Sequence, residues 1–353
     1  MAKPFKKQEA QFFEQLKKEK KMFNDILEFF VGMGDLLLGK TKDKDPIYDE
    51  KKVSVEQIRP VKFIYRPDTL EKYVGQIQAK KLVKMALNVI LKQKPLHFLI
   101  TGHAGMGKTT LAQIIKNQLG FNFYSYVGNS FTQDTLRDFL IKNEENPKPS
   151  VLFLDEIHSA DKEILEFMLP IIEDYKLNEI KLRPFVMICA TNEKTTLLRK
   201  SKPFCDRIQI QIQLEDYNAE EIKTLLKQYN NQIYNIEIPE EVYDILSANT
   251  RFNPRIAIAY MDLYIGCKDI KIVLEAHRVI KNGITDVDLK ILNHLNSVGN
   301  KAIGEQALSV IANVERMDYV ELIEPYLMRR NLISRTSRGR ILTQAGKDFL
   351  QGI

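Results

Sequence analysis

The segment Gly102–Thr110 reads GHAGMGKTT, which matches the phosphate-binding pattern G-x-x-x-x-G-K-[ST]. Glycines in such a loop let backbone N–H groups turn inward around phosphate oxygens. At this spacing Lys108 reaches the β and γ phosphates of a nucleotide, and the Thr109 hydroxyl is a ligand for Mg²⁺. We therefore predict a site for ATP and Mg²⁺. Its nucleotide contacts are Gly102, Gly105, Gly107, Lys108, Thr109 and Thr110.

The elements predicted on either side of this loop favour phosphate binding. Residues 96–100 (LHFLI) form a short apolar run that is followed by Thr101 and then by Gly102, which is typical of a buried strand. Residues 109–119 predict a helix that ends at Gly120. A helix N-terminus carries partial positive charge and free N–H groups, both of which stabilise bound phosphate. The alternative is an ordinary glycine-rich turn, which the order strand, loop, helix disfavours.

Two adjacent carboxylates, Asp155 and Glu156, follow a second apolar strand at 151–154 (VLFL). Asp155 at the strand tip is predicted to hold the Mg²⁺ shell, and Glu156 to polarise the attacking water. Paired acids at a strand end are also common as solvated loop residues. Behind a phosphate-binding loop at this distance, the catalytic interpretation is favoured.

Three further polar side chains are candidates for phosphate or water contacts. Asn192 follows a third apolar strand at 184–190 and is a candidate sensor, although Asn is also a favoured helix N-cap. Arg207 begins a fourth strand, 207–214, and is either an arginine finger or a surface arginine. Arg255 starts a helix of the next domain, where it contacts phosphate from the other side or forms a salt bridge.

Strands alternate with helices from about residue 59, which predicts a parallel sheet with helices on both faces. After residue 217 the sequence has helical periodicity only, and a further compact unit follows. The first 45 residues predict a lysine-rich amphipathic helix that packs on the core or on a neighbouring subunit; a partner-binding arm and a membrane-surface helix are the alternatives. The predicted domains are an N-terminal helical extension (1–58), an α/β ATPase domain (59–216), an all-α helical lid (217–281) and a C-terminal domain (282–353).

Composition excludes some classes of protein. The three cysteines, Cys189, Cys205 and Cys267, are scattered and lack C-x-x-C spacing. This pattern indicates a reduced, cytoplasmic protein without a disulfide framework or zinc site. No apolar run is long enough to span a bilayer, so we expect no membrane partner. A net charge of +6 permits a nucleic-acid partner without requiring one.

Five arginines fall within twelve residues near the C-terminus, at positions 329–340. The stretch predicts a strand, a turn at Gly339 and a second strand, with no acidic residues interleaved. A basic hairpin of this kind favours sequence-independent contacts with DNA phosphates. The alternative is a solvated charged hairpin. The predicted DNA contacts are Arg335, Arg338 and Arg340.

From residue 66 to the C-terminus the sequence resembles the RuvB family of AAA+ ATPases, the motors that drive branch migration of Holliday junctions. The P-loop alone is shared by many unrelated proteins, but the C-terminal segments are far more specific. The similar segments are 66–76 (RPDTLEKYVGQ), 154–158 (LDEIH), 173–175 (EDY), 253–257 (NPRIA), 323–327 (IEPYL), 333–340 (ISRTSRGR) and 342–345 (LTQA).

This resemblance implies a hexameric ring with ATP bound between subunits and a C-terminal winged-helix domain on double-stranded or branched DNA. It implies that Arg207 serves the neighbouring subunit's site, whereas Asn192 and Arg255 sense the nucleotide in their own subunit. It also implies nucleotide contacts from Tyr65, Arg66, Tyr175 and Tyr217.

Some features depart from the family pattern. Residues 176–183 form a short connection where the family has a longer hairpin that docks the junction-recognising partner RuvA, which argues against a RuvA-type partner. Asn192 replaces the usual threonine, and Cys205 replaces an arginine beside the finger. The N-terminal extension is also not typical of the family.

The leading hypothesis is an ATP-hydrolysing DNA translocase that moves a branched junction. A clamp loader or helicase loader is the alternative from another class, although clamp loaders carry a different C-terminal collar. A DNA-binding regulator with a merely structural ATP site is a third hypothesis. The intact Lys108, Asp155 and Glu156 argue against it.

Overall fold

A computed structural model describes residues 66–92 and 94–353. The predicted N-terminal extension, residues 1–58, and Tyr65 lie outside these ranges. The strands of the first domain are β1 (Phe98–Thr101), β2 (Asn122–Val127), β3 (Ser150–Asp155), β4 (Lys176–Leu177), β5 (Ile180–Lys181), β6 (Val186–Thr191) and β7 (Ile210–Gln213). Five of them form a parallel sheet in the order β2-β3-β6-β1-β7. The expected parallel sheet is confirmed.

Helices cover both faces of this sheet, as predicted. Alternate residues of β1 enter different cores: Phe98 and Ile100 pack in one apolar cluster, and Leu99 packs in the other. All four residues of β1 are buried, so the strand is covered on both faces rather than on one. The helices are α1 (Ile77–Ile90), α2 (Lys108–Leu119), α3 (Gln133–Glu145), α4 (Lys162–Phe167), α5 (Leu169–Asp174), α6 (Lys194–Lys200) and α7 (Lys202–Asp206).

Strand β2 is not among the strands predicted from sequence. It lies at the edge of the sheet, where β3 is its one partner among the described strands, and it is only partly buried. In its sequence, NFYSYV, Asn122 and Ser125 interrupt the apolar residues, so it lacks the continuous apolar run that identifies the central strands. The fourth predicted strand, 207–214, is shorter in the structure, where β7 spans Ile210–Gln213.

A small helical bundle follows the sheet. Asn218 and Glu221 form a reciprocal capping box at the start of the first lid helix, which explains the sharp change from strand to helix. Asn253 caps the third lid helix through its side chain. The lid helices are α8 (Ala219–Ile233), α9 (Glu240–Asn249), α10 (Pro254–Cys267) and α11 (Ile270–Ala276).

The C-terminal domain has the winged-helix fold expected from the resemblance. Its core includes the fully buried Tyr319 and Tyr326. The wing is an antiparallel hairpin whose Arg340 also bridges to Ile303. Its elements are β8 (Val279–Lys281), β9 (Ile284–Thr285), α12 (Asp286–Ser297), α13 (Glu305–Ala312), α14 (Arg316–Asp318), α15 (Glu324–Arg329), β10 (Ile333–Thr336), β11 (Gly339–Leu342) and α16 (Gln344–Gln351).

The connection at residues 176–183 contains a minimal antiparallel hairpin, in which β4 pairs with β5. Ile180 near its tip is exposed over 64% of its surface. Across the described part of the chain, the helices are too short or too polar to cross a bilayer.

Candidate functional site

The phosphate-binding loop joins β1 to α2 and requires glycine at two positions. Gly105 and Gly107 have φ angles of 83° and 93°, in the left-handed region that favours glycine. A Cβ at Gly105 would lie 2.4 Å from Oδ1 of Asn253, and one at Gly107 would lie 2.8 Å from the Tyr73 hydroxyl. The loop therefore closes tightly against the lid on one side and against the segment before α1 on the other.

Lys108, the first residue of α2, is buried in this loop. Its Nζ donates hydrogen bonds to the carbonyl oxygens of Gly102, at 2.8 Å, and His103, at 3.1 Å. Burial lowers the pKa of Lys108, while the nearby carboxylates of Glu156 and Asp155 act in the opposite direction. A phosphate anion beside Nζ would further favour the charged lysine.

A hydroxyl and a carboxylate form a pair of oxygen ligands next to the loop. The Thr109 hydroxyl donates a hydrogen bond to Oδ2 of Asp155 over 2.9 Å. Mg²⁺ prefers oxygen ligands and is commonly held by one or two carboxylates together with substrate phosphates. Within residues 66–92 and 94–353, no cluster of three or more His, Cys, Asp or Glu residues forms a self-sufficient metal site. The oxygens of Thr109 and Asp155 fit a Mg²⁺ that is bound together with nucleotide phosphates.

Two polar atoms just after the carboxyl ends of β3 and β6 are buried without a hydrogen bond: Oε2 of Glu156 and Oδ1 of Asn192. Glu156 adopts a left-handed conformation with φ 48°, directly after β3. Its Oε2 lies 3.3 Å from Nδ1 of His158, which is 2.9 Å from the Thr191 hydroxyl. Buried acceptors without a donor are costly, so these two atoms are suited to a water molecule or a ligand.

A cavity of about 330 Å³ opens above the loop. The expected contacts Arg66, Tyr217 and Arg255 line it together with Lys108, Thr109, Thr110, Asp155 and Glu156. Asn192 lies outside this cavity. It lines an adjoining one with Thr101, Gly102 and His103.

The lid contacts the phosphate-binding loop directly. Nδ2 of Asn253 donates a hydrogen bond to the carbonyl of Ala104 over 3.0 Å. Tyr217 lines the same cavity, and its burial raises the pKa of its hydroxyl to about 12. The hydroxyl therefore stays protonated and can donate a hydrogen bond.

Tyr175 does not line the cavity of its own chain, so the predicted nucleotide contact is not made there. Its hydroxyl donates to the carbonyl of Phe185 over 3.3 Å and lies 3.4 Å from Nε2 of His97. His97 immediately precedes β1, whereas the phosphate-binding loop follows it. Tyr175 is therefore a packing residue at the opposite end of the sheet.

Arg207 also lies away from the cavity of its own chain. Its Nε donates to Oε2 of Glu173 at 2.5 Å, and its side chain is about one-third exposed. Arg207 precedes β7, whose first residue pairs with the first residue of β1. It therefore lies toward the end of the sheet opposite the loop, where it cannot serve its own nucleotide.

The three DNA-contact candidates of the wing have different environments. Arg335 and Arg338 are exposed. The Arg340 prediction needs correction, because its side chain is buried and donates to both carboxylate oxygens of Glu324, at 2.7 and 2.8 Å, and to Glu305 at 2.7 Å. No acid is interleaved in the wing sequence, but the fold brings these two from preceding helices.

Some cavity residues carry no sequence motif of their own. Tyr73 donates from its hydroxyl to the carbonyl of Gly107 over 3.2 Å, and the lid supplies Leu225, Gln228 and Ile258 to the lining. Tyr73 falls inside the segment 66–76 that resembles the family, which is the one signal that could have identified it. The lid residues offer shape rather than reactive groups, so no residue type marks them.

Comparisons with known proteins agree with this geometry. Residues 65–214 match the family model described as Holliday junction DNA helicase RuvB P-loop domain, and residues 281–351 match the RuvB C-terminal winged helix domain. A Holliday junction branch migration complex subunit RuvB from Pseudothermotoga lettingae is 32% identical, over 81% of this chain and 89% of its own length. One from Mycoplasmopsis pulmonis is 31% identical, over 82% and 98%. The solved structure of the Thermotoga maritima RuvB Holliday junction branch migration motor has a TM-score of 0.69 and 29% identity, covering 81% of this chain and 98% of that one.

Proposed function

The chain belongs to the RuvB family, and from this premise we propose that it is an ATP-driven motor that moves four-way DNA junctions in recombination and repair. One observation carries the proposal: one chain combines a cavity lined by Lys108, Asp155 and Glu156 with a winged helix whose basic wing is exposed, and the lid lies between them in the sequence. The free cysteines Cys189, Cys205 and Cys267 support action in the cytoplasm.

The roles proposed for ATP hydrolysis follow from the positions of the side chains. Lys108 and the loop N–H groups hold the β and γ phosphates. Thr109 and Asp155 hold Mg²⁺, which supplies neutralisation of phosphate charge when bound. Glu156 takes a proton from the attacking water, and its Oε2, which accepts no hydrogen bond and lies 3.3 Å from Nδ1 of His158, supports this role.

The remaining polar groups are proposed to orient or stabilise the reaction. Asn192, with an unpaired Oδ1 at the end of β6, orients the lytic water or the γ-phosphate. Arg255 reaches the phosphates from the lid, where it lines the cavity. Arg66 and Tyr217 frame the rest of the nucleotide. No contact of Tyr65 is proposed, since it lies outside the described residues.

A ring of subunits is proposed because Arg207, the candidate arginine finger, lies away from the cavity of its own chain. Arg207 lies toward the opposite end of the sheet, so a second copy must supply it. An arginine that enters from outside stabilises the charge of phosphoryl transfer. In keeping with the family resemblance we propose a hexamer.

Double-stranded DNA is proposed to lie against the exposed Arg335 and Arg338 of the wing. Their contacts would be to phosphates, which carry no base information and suit a motor that moves along any sequence. The hairpin of β4 and β5 has only two residues in each strand. We therefore assign it no RuvA-type partner.

The test is branch migration of a synthetic four-way junction by the purified full chain with ATP and Mg²⁺. We expect strand exchange that requires hydrolysable ATP, and none from a Lys108→Ala variant. A chain that hydrolyses ATP but leaves the junction unmoved, and is stimulated instead by a sliding clamp, would be a loader. That result would refute the motor proposal.

A further inference from the structure

Arg251, in the lid loop between α9 and α10, inserts its side chain into the winged-helix domain. Its guanidinium forms an ion pair with Asp288 and lies 5.0 Å from the ring centre of Tyr326. It also donates to the carbonyl of Gly283, at 3.1 Å, and to the Thr285 hydroxyl, at 3.3 Å. The guanidinium of Arg251 thus uses several of its N–H donors in contacts with the winged-helix domain.

The partner of Arg251 has no access to solvent. Asp288 is fully buried, and burial raises its pKa, an effect that Arg251 and the hydrogen bonds from Thr285 oppose. A buried carboxylate needs such partners, so the ion pair holds the lid loop firmly on the winged-helix domain.

The backbone that follows Arg251 leads directly to the nucleotide cavity. Arg251 and Phe252 have φ angles of 55° and 56°, which non-glycine residues adopt only when their surroundings hold them there. Phe252 packs against the apolar cores of both the lid and the winged-helix domain. Asn253 then donates to the loop carbonyl of Ala104.

Asn253 also places the candidate sensor arginine. Its Oδ1 accepts a hydrogen bond from the backbone N–H of Arg255 over 3.0 Å, which fixes the first turn of α10. Arg255 lines the nucleotide cavity. A single turn of five residues therefore connects the winged-helix domain to the phosphate-binding loop.

A second contact fixes the other boundary of the lid. Arg329 of the winged-helix domain pairs with Asp216 over 2.6 Å. Asp216 immediately precedes Tyr217, which lines the same cavity. The winged-helix domain thus holds the chain beside two cavity residues, Tyr217 and Arg255.

We propose that Arg251 is a positioning residue for ATP hydrolysis. Through its ion pair with Asp288 it transmits the position of the winged-helix domain to Asn253 and Arg255, so that DNA on the wing changes turnover at the loop. This inference rests on the proposed function, since it requires both ATP hydrolysis and DNA binding.

The experiment measures kcat and KM for ATP with and without duplex DNA, and the Kd for DNA, in the full chain. In Arg251→Met we expect at least a fivefold loss of the DNA stimulation of kcat and a raised KM for ATP, with the Kd for DNA unchanged within twofold. Arg278→Met is the matched control. It removes an exposed ion pair with Asp286 at the same domain junction, 3.3 Å long, and should keep full stimulation.

Arg251→Lys keeps a positive charge beside Asp288. It tests the role of Arg251 in the DNA stimulation of kcat if Arg251→Met does not fold. We expect it to show partial stimulation with normal DNA affinity. Full stimulation in whichever of these variants folds, or equal losses of stimulation and DNA affinity, would overturn the inference. If the unaltered chain hydrolyses no ATP, or its turnover ignores DNA, the proposed function fails instead.

Discussion

The hydroxyl of Thr109 and the carboxylate of Asp155 are joined by a 2.9 Å hydrogen bond, although the two residues are 46 positions apart. The contact connects the first turn of α2 to the end of β3, on neighbouring layers of the first domain. It places two oxygen ligands beside Lys108 and Glu156 in one cavity. The predictions below test what this cavity and the wing do.

Glu156→Gln should bind ATP and hydrolyse it at least about 100-fold more slowly, because the amide cannot accept a proton from water. The measurement is single-turnover hydrolysis beside ATP affinity. Asp161→Asn, an exposed acid after the same strand, is the control and should keep its rate. Undiminished turnover of Glu156→Gln would remove this residue from the role of base.

Arg207→Ala should lose ATP turnover by about 10³-fold or more if it serves as an arginine finger. Mixing it with a Lys108→Ala variant should recover activity, because some interfaces then combine an intact loop with an intact finger. Turnover is measured across mixing ratios. Each variant alone should stay inactive, and a mixture that is equally inactive would argue against a finger supplied by a second subunit.

Replacing Arg335 and Arg338 together by alanine should weaken DNA binding. A plot of log K for DNA binding against log salt concentration has a negative slope, and its magnitude should decrease by about 2, one for each lost phosphate contact. Binding is measured by titration at several salt concentrations. Lys347→Ala, a change in the last helix outside the wing, is the comparison. An unchanged slope would place the duplex on another surface.

Arg340→Met should destabilise the winged-helix domain by about 3–5 kcal/mol, because Glu324 would remain buried without its partner. Thermal or denaturant unfolding measures the loss. Replacing Arg340 and Glu324 together by apolar residues should recover much of it. If Arg340→Met unfolds like the unaltered chain but binds DNA weakly, Arg340 contacts DNA after all.

His97 should make the first domain sensitive to acid. Burial lowers its pKa to about 4 from 6.5, so the folded state binds this proton less readily than the unfolded state. Stability should therefore fall as the pH drops below 6.5, with a loss of about 3 kcal/mol once the pH reaches 4.

The measurement is the free energy of unfolding between pH 7 and pH 4. His97→Asn should be less stable at pH 7 but should lose less stability in acid. His103→Asn, a change at an exposed histidine, should leave the pH dependence as it is. If the free energy of unfolding of His97→Asn falls as steeply between pH 7 and pH 4 as that of the unaltered chain, the acid sensitivity comes from other groups.

The parallel sheet and the phosphate-binding loop follow from the sequence because their determinants are local. A loop that uses consecutive backbone N–H groups needs glycines and a lysine at fixed spacing, and a buried strand needs an apolar run. The positions of Lys108, Asp155 and Glu156 were therefore readable from segments 102–110 and 151–156. The position of strand β2 could not be read from the sequence in this way, because an edge strand is only partly apolar.

Tertiary structure alone decided which side chains meet. Arg338 and Arg340 are two positions apart in one wing, yet one is exposed and the other pairs with Glu324 and Glu305. Tyr175 likewise belongs to the opposite end of the sheet from the loop. Partners for charged and polar side chains come from distant segments, so their choice depends on how helices and strands pack rather than on spacing along the chain.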